Sequence, residues 1–275
     1  ADYAGAPGGQ GNVGEMVNRG LEVEVKYGTD FGPVNFNAAL NVTTLRNRAT
    51  KVSAEGFLPG YTWPVRNTVI TRMEEGYPVG YFRGYKTSGI FKSTEEVFSH
   101  INSNGNMLQP NAKPGDIRYV DTNKDGVIDI NDMTYIGKPW ASLIIGLNLR
   151  ASYKGFDVRA LFTSSFGNDI FRSYERQDVI NNNYTREWLD RWTPSNPDGS
   201  YPRLTTNDTN NNSRASDFYV EDASFVRLKN LQIGYTLPAA ISERALVKNF
   251  RVYVAFDNLI TLTGYTGFDP EIGTS

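Results

Sequence analysis

The sequence predicts an all-β fold, specifically a segment of a transmembrane antiparallel β-barrel with long extracellular loops. Three observations lead to this class. Apolar and polar residues alternate with a period of two, the alternating stretches run to about ten residues, and short connections alternate with long ones. A strand places alternate side chains on one face, whereas a helix would scatter them around its circumference. A strand that crosses a bilayer needs about 9–11 residues, so these stretches are long enough to span one.

Six stretches alternate strongly, and two alternate weakly. In the first, four apolar side chains from Leu21 to Tyr27 alternate with charged residues or glycine. The strong stretches are Gly20–Gly28, Val34–Thr44, Leu143–Tyr153, Phe156–Phe166, Phe225–Leu237 and Phe250–Asp257. Val69–Arg72 and Val79–Lys86 are the weaker candidates, which gives six to eight strands. The alternation changes phase near Lys229, and this change predicts a β-bulge.

The connections between these stretches differ strongly in length. Gly28–Pro33 and Lys154–Gly155 are predicted to be tight turns, and Pro238–Asn249 a short link with a helical turn around Ile241–Leu246. The long connections are rich in Asn, Asp, Gly and Pro, and they are Arg46–Asn67, Gly89–Ser142 and Gly167–Ala223. Outer-membrane barrels have short periplasmic turns at one end and long extracellular loops at the other. The alternation of short and long connections therefore favours a barrel.

A soluble β-sandwich is the main alternative, because its strands alternate in the same way. Three features favour the barrel over it. The strands exceed the usual length of about five or six residues. Aromatic residues stand at strand ends, as the girdles at the two membrane interfaces require, and charged residues occupy mid-strand positions, as a wet lumen permits. A soluble, surface glycan-binding sandwich with one structural calcium loop stays open as the second reading.

Composition limits the classes of function. The 28 basic and 30 acidic residues leave a net charge of −2, which argues against binding to nucleic acid. The chain has no cysteine, and no run approaches the length of about 18 apolar residues that a transmembrane helix needs. The only histidine, His100, lies in a polar stretch, and no nucleophile elbow or acid pair marks a catalytic centre. We therefore predict that the protein is not an enzyme.

The sharpest local motif is a calcium-loop pattern over Asp121–Asp132, inside a predicted extracellular insertion at 115–137. Oxygen-bearing side chains stand at the first, third and fifth positions, Gly126 at the sixth, and a backbone carbonyl at the seventh. We expect a structural Ca²⁺ site that rigidifies the loop, with the ligands Asp121, Asn123, Asp125, Val127, Asp129 and Asp132. The alternative is an Asp/Asn/Gly turn held by hydrogen bonds between side chains and backbone.

Two tryptophans mark a second feature of the long connections. Tyr184–Trp192 is predicted to be a short amphipathic helix, in which Trp188 and Trp192 share a face. They either fix the loop to itself or form a contact surface for a partner protein or a ligand. The Asn-rich run Asn207–Asn212 is predicted to be an exposed, mobile tip.

Nine short stretches, spread in order along nearly the whole chain, match a known family. They are Glu75–Tyr85 (Glu-Gly-Tyr-Pro-Val-Gly-Tyr-Phe-Arg-Gly-Tyr), Gly89–Phe91, Pro114–Asp129, Ile136–Gly137, Tyr153–Asp157, Gly167–Asp169, Val226–Asn230, Asp257–Leu259 and Gly267–Glu271. Together they resemble the SusC/RagA family of TonB-dependent outer-membrane transporters. The resemblance implies the C-terminal portion of a barrel of about 22 strands, with the plug and the N-terminal strands absent from this chain.

The resemblance also implies a mode of action and partners. Family members import oligosaccharides or peptides across the outer membrane of Gram-negative bacteria. A SusD-like lipoprotein forms a lid over the extracellular mouth, and TonB acts on the plug from the periplasm. In the family the Asp-rich segment looks like a divalent-ion site. The candidate contacts to a ligand or partner are Tyr81 and Arg83, which lie in the first of these stretches, together with Trp188 and Trp192.

Overall fold

The computed structural model describes residues 12–53, 56–175, 183–238 and 250–271. The chain divides into two compact units, which we call the sheet unit and the loop unit. The sheet unit comprises Asn18–Arg46, Trp140–Ile170 and Asp222–Ser275, and the loop unit comprises Ala1–Val17, Asn47–Pro139 and Phe171–Glu221. Across the described ranges, no helix is both long enough and apolar enough to cross a membrane.

Strands make up most of the regular structure. They are β1 (Gly14–Phe31), β2 (Val34–Val52), β3 (Phe57–Pro59), β4 (Thr62–Trp63), β5 (Thr68–Val69), β6 (Thr71–Glu74), β7 (Tyr81–Gly84), β8 (Thr87–Ile90), β9 (Ile117–Tyr119), β10 (Thr134–Gly137), β11 (Leu143–Tyr153), β12 (Phe156–Phe166), β13 (Asp169–Phe171), β14 (Val220–Asp222), β15 (Phe225–Thr236) and β16 (Arg251–Thr263). The helices are short: α1 (Thr94–Ser99) and the 3-10 helices Val65–Asn67, Ile130–Asp132, Arg186–Asp190 and Asp217–Tyr219.

The sheet unit contains a six-stranded antiparallel sheet in the order β1-β2-β11-β12-β15-β16. β11 pairs with β2 and with β12 in unbroken register. The observed ranges of β11 and β12 equal the predicted stretches Leu143–Tyr153 and Phe156–Phe166. In the tight turn between them, Lys154 and Gly155 both have positive φ (44° and 89°). Glycine adopts such angles without a steric cost, so Gly155 suits this turn.

The connections of this sheet alternate in length as the sequence predicts. Tight turns join β1 to β2 and β11 to β12, whereas residues 53–142 separate β2 from β11 and residues 167–224 separate β12 from β15. Consecutive strands of the sheet are antiparallel neighbours, so both long connections leave from the end of the sheet opposite the tight turns. The helical turn predicted at Ile241–Leu246 lies outside the described residues.

Two strands extend well beyond the predicted stretches. β1 has 18 residues and β2 has 19, whereas alternation predicts only Gly20–Gly28 and Val34–Thr44. The added part of β2, Leu45–Val52, consists mostly of charged and polar residues. A hydrogen-bonded ladder continues without an apolar face, because its bonds join backbone groups. Hydrophobic periodicity therefore gives no signal there.

The bulge predicted in β15 is confirmed. Leu228 and Asn230 lie opposite consecutive residues of β12, so Lys229 has no partner in that strand. The extra residue reverses the alternation, because a shift of one residue moves all following side chains to the other face. Leu228 and Leu231 consequently lie on the same face of the sheet.

The loop unit has its own small sheets and core. Its largest sheet has four short strands in the order β10-β7-β6-β3. The two weaker predicted strands overlap β6 and β7, so they belong here and not to the six-stranded sheet, which corrects the upper count of eight. Their four residues each are too few to span a bilayer. In the core, the ring of Trp63 lies 5.1 Å from that of Phe171 and 5.0 Å from that of Tyr219.

Candidate functional site

The two faces of the six-stranded sheet differ in chemistry. One face carries apolar side chains that are exposed, among them Leu21 on β1 and Val254 and Phe256 on β16, with 64%, 55% and 44% of their surface accessible. The opposite face carries charged and amide side chains; there Arg251 donates hydrogen bonds of 2.9 and 2.7 Å to Asp157. Large exposed apolar patches mark surfaces that contact a partner or a membrane. The sheet therefore suits a boundary between an apolar medium and water.

Aromatic rings line the apolar face at the end with the tight turns. Tyr153, Phe156 and Tyr235 lie opposite one another on three adjacent strands. The rings of Phe156 and Tyr235 are in contact, with their centroids 4.5 Å apart. Aromatic residues form girdles around outer-membrane barrels at the two interfaces between the bilayer and water. Their position matches the predicted girdle.

A buried arginine fixes the chain that follows β16. Arg227 is 3% exposed and donates hydrogen bonds to Asp269 (2.5 Å), Glu271 (2.6 Å) and Thr261 (2.9 Å). Lys229, the bulge residue, lies 2.6 Å from Glu271 as well. These contacts hold the Gly267–Glu271 stretch against β15, so this stretch serves the structure of the sheet unit.

The Asp-rich loop is organised by hydrogen bonds from backbone to carboxylate. The two oxygens of Asp121 accept from the backbone N–H of Lys124 (2.7 Å) and Gly126 (2.8 Å), and Asp125 accepts from Val127 (2.9 Å). Gly126 has a φ of 89°. Asn123 accepts from the Asp125 backbone (2.9 Å). The first four ligand positions of the predicted calcium loop, from Asp121 to Val127, thus lie in one tight turn.

The final ligand position is buried. Asp132 has no exposed surface, and its oxygens accept from the backbone N–H of Thr122 (2.7 Å) and Asp129 (2.8 Å). Asp129 caps the 3-10 helix Ile130–Asp132, because its carboxylate accepts a hydrogen bond from the backbone N–H of Asn131 (2.7 Å). Among the described residues, no three acidic or histidine side chains converge in a way that would hold an ion. The donor atoms are the hard oxygens that Ca²⁺ prefers, and calcium binding stays a prediction.

The two tryptophans pack inside the loop unit. Trp188 is 4% exposed, and its ring lies 4.9 Å from Tyr184 and 5.2 Å from Tyr201. The predicted helix over Tyr184–Trp192 is in fact a five-residue 3-10 helix, Arg186–Asp190. It ends there because the backbone of Arg191 forms a β-bridge with Tyr201. The two tryptophans therefore do not share one helix face. This geometry supports the first reading, in which they fix the loop to itself.

Trp192 lies beyond that helix and packs against a different segment. Its indole N–H donates to the backbone carbonyl of Lys92 (3.2 Å). A Cβ at Gly115 would come within 2.5 Å of the ring of Trp192, and Gly115 also has a φ of 87°. Only glycine fits at this position without a shift of the ring or backbone. Contact of either tryptophan with a partner or ligand stays a prediction.

Tyr81 and Arg83 are supporting residues of the loop unit. Tyr81 is 2% exposed, and its hydroxyl donates to Glu74 and accepts from Arg72 (3.0 Å). Burial, together with the hydrogen bond to Glu74, raises the pKa of Tyr81 to about 12. Arg83 donates to the backbone carbonyl of Ile130 (3.1 Å), beside the Asp-rich loop. Both side chains are engaged within the protein, and their role as ligand contacts stays a prediction.

The end of the Asn-rich run is packed, contrary to its predicted exposure as a mobile tip, whereas Asn207 and Thr209 are exposed as predicted. Asn210 and Asn212 are 6% and 4% exposed. Asn210 is within 2.8 Å of the side chain of Gln109, and Asn212 donates to Asp116 (2.8 Å). No local pattern predicts this contact, because the partners lie roughly one hundred residues earlier (101 and 96 positions). Short amide side chains serve here as buried hydrogen-bond partners.

The chain is similar to known TonB-dependent receptors over nearly its whole length. It is 30% identical over 98% of its residues to TonB-dependent receptor P3 of Formosa agariphila, and 23% identical over 95% to TonB-dependent receptor SusC of Bacteroides thetaiotaomicron. The solved structure of the RagAB peptide transporter matches 95% of the chain with a TM-score of 0.70 at 26% identity. The matches cover only 26%, 24% and 27% of these proteins, so the chain spans about a quarter of their length. No family model matches it.

Fold and relatives together define a class of protein. A two-faced antiparallel sheet with long connections at one end, matched to receptors and a transporter, has the fold of a transmembrane β-barrel segment. The chain is similar to the C-terminal part of SusC/RagA-like TonB-dependent transporters. This confirms the predicted fold class and the resemblance. The relatives are receptors and transporters and not enzymes, in agreement with the prediction for this chain.

Proposed function

We propose that this chain forms part of the wall of an outer-membrane importer that is driven by TonB. Its cargo is an oligosaccharide or a peptide, and a SusD-like lipoprotein covers its extracellular mouth. Support comes from the similarity to SusC and to the RagAB peptide transporter. The observation that carries the proposal is the two-faced sheet, because an exposed apolar face beside a polar one is what a barrel wall needs.

The sheet has one orientation under this proposal. Its apolar face contacts membrane lipid, and its polar face borders the lumen. The tight turns face the periplasm, and the two long connections extend from the cell surface. This assignment follows from connection length, because outer-membrane barrels have their short turns on the periplasmic side.

Cysteine labelling tests the orientation, and the chain suits it because it has no cysteine. Val254 and Ala255 are neighbours on β16 whose side chains point to opposite faces. In whole cells that express the full-length transporter, we expect V254C to resist a membrane-impermeant maleimide. A255C should react once cells are permeabilised. Recovery of the protein in the soluble fraction without detergent, or equal labelling of both positions, would contradict the proposal.

The soluble glycan-binding sandwich is not favoured. In a sandwich the apolar face of each sheet is buried against the other sheet, whereas residues such as Val252 and Leu262 on β16 are 55% and 65% exposed. The relatives, moreover, are barrel receptors and transporters. Both observations point to a barrel wall.

We further propose that the Asp121–Asp132 loop binds Ca²⁺ and thereby rigidifies a surface loop. The spacing of its oxygen ligands and the positive φ of Gly126 support this proposal. Calorimetric titration of the full-length transporter with calcium chloride measures it, and we expect D121A to abolish one binding event. D198A, which changes an exposed carboxylate of the loop unit, is the control and should leave the titration unchanged. The proposal fails if chelation alters neither calcium content nor protease resistance of the loop.

A further inference from the structure

Basic side chains on the polar face of the six-stranded sheet pair with carboxylates, with two exceptions. The paired side chains are Lys26, Arg227, Lys229 and Arg251, with distances of 2.5–2.9 Å. The exceptions are Arg150 and Arg159, neither of which makes a hydrogen bond or an ion pair within the described residues. Asp157, two positions from Arg159, is already bound by the guanidinium of Arg251. Neither guanidinium group therefore has a direct hydrogen-bond partner among the described residues.

These two arginines face each other across the β11–β12 pair. Arg150 lies directly opposite Arg159, and both are exposed. Directly opposite residues in an antiparallel pair have Cβ atoms about 4.5–5.5 Å apart, and like charges placed there destabilise the pair. Asn37 on β2 lies opposite Arg150, and Gln232 on β15 lies opposite Arg159. One row across four strands therefore presents two guanidinium groups flanked by two amides, with a repulsion that a bound anion would relieve.

We propose that Arg150 and Arg159 form a carboxylate-binding subsite, with Asn37 and Gln232 as flanking hydrogen-bond partners. A guanidinium group presents its N–H donors in a rigid fork that matches the two oxygens of a carboxylate. Two forks side by side hold one carboxylate between them or two neighbouring carboxylates of one solute. The amides add donors and acceptors for the polar groups beside the carboxylate.

The inference rests on the proposed function in one respect, because a solute reaches the row only if the polar face borders the lumen. Arg150 and Arg159 each lie three residues from the strand ends Tyr153 and Phe156, next to the tight turn. In the proposed orientation this is the periplasmic end of the wall, so cargo meets the subsite late in its passage. Acidic peptides and uronic-acid oligosaccharides present the same carboxylate chemistry, and the experiment separates them.

The test measures binding of two matched probe pairs to the full-length transporter in detergent. The pairs are triglutamate with triglutamine, and trigalacturonate with galactotriose. We expect the acidic member of one pair to bind more tightly than its neutral counterpart. R150Q and R159Q should each lower the affinity for the acidic probe by about tenfold, which is the effect of one charge-assisted hydrogen bond. The affinity for the neutral probe should not change. The pair that responds identifies the carrier of the carboxylate.

K26Q is the matched control, because it removes one positive charge from the same face outside the row. It should change the affinity for the acidic probe by less than about twofold. Equal binding of acidic and neutral probes, or an equal loss in K26Q, overturns the subsite. So does a variant at Arg150 or Arg159 that loses thermal stability without losing probe affinity, because the arginines would then pair with a carboxylate of the protein. Recovery of the unmodified protein in the outer membrane tests the proposed function separately.

Discussion

At the scale of single residues, the buried carboxylate of Asp116 connects distant parts of the loop unit. Asp116 has no exposed surface, and it accepts hydrogen bonds from Arg203 (2.7 Å), Asn212 (2.8 Å) and the backbone of Lys113 (2.8 Å). These partners come from segments far apart in the chain. A buried charge needs such pairing, because its removal from water is costly. Asp116 therefore joins the Asn-rich run to the rest of the unit.

Replacing Asp116 tests this role. We expect D116A to lower the stability of the loop unit by about 3 kcal/mol, because Arg203 and Asn212 lose their shared acceptor. Limited proteolysis of the full-length transporter at increasing denaturant measures the change. D198A removes a carboxylate whose partner Lys92 lies at the surface, and it should cost less than about 1 kcal/mol. Similar losses in both variants would show that burial of Asp116 does not matter.

His100 gives the loop unit a pH dependence. Burial lowers the pKa of His100 below its ordinary value of 6.5, and its ring nitrogen lies 3.1 Å from the carbonyl of Tyr119. The unfolded unit therefore binds a proton below pH 6.5 that the folded unit does not bind. This stability contribution is complete above that pH and declines as the pH falls. Protease resistance should fall on acidification, and H100Q should show a shallower decline. An identical decline in the variant would exclude His100 as a source.

At the scale of elements, hydrophobic alternation predicts strands only where a face is apolar. It located β11 and β12 to the residue, and its change of phase located the bulge at Lys229. It missed the polar extension of β2 and the short strands of the loop unit, because backbone pairing with distant segments decides those. The burial of Asn210 and Asn212 was missed for the same reason, because their partners lie about one hundred positions away. The calcium-loop spacing correctly marked a tight turn, and nothing in the sequence singled out the arginine row, which depends on strand register.

The bulge can be tested by deletion. Removing Lys229 should place Phe225–Leu228 on the wrong face relative to the rest of β15, because the register shifts by one residue. We expect the deletion to abolish recovery of the folded transporter in the outer membrane. K229A keeps the residue count and should assemble normally, although it loses the ion pair with Glu271. Normal assembly of the deletion variant would show that the bulge is dispensable.

At the scale of the whole molecule, the proposed function places the sheet between membrane lipid and the barrel lumen. Val23 and Glu22 are neighbours on β1, and alternation places them on opposite faces. We expect V23R to cost about 2–4 kcal/mol if Val23 lies near the middle of the membrane, because its side chain then enters lipid. E22R changes the polar face and should cost much less. Urea unfolding of the transporter in lipid vesicles measures both, and equal costs would argue against a lipid-facing side.

The loop unit joins segments from two separate long connections. Trp63, in the first, donates through its indole N–H to the carbonyl of Ser173 in the second (3.0 Å), and the carboxylate of Asp116 in the first binds Asn212 in the second. The core around Trp63 contains buried residues from both connections, among them Phe82 from the first and Tyr219 from the second. Exchange of one surface loop between relatives would therefore separate halves of a single packed body. Natural or engineered variants with altered surface specificity should therefore exchange both connections together, although they are separate segments of the sequence.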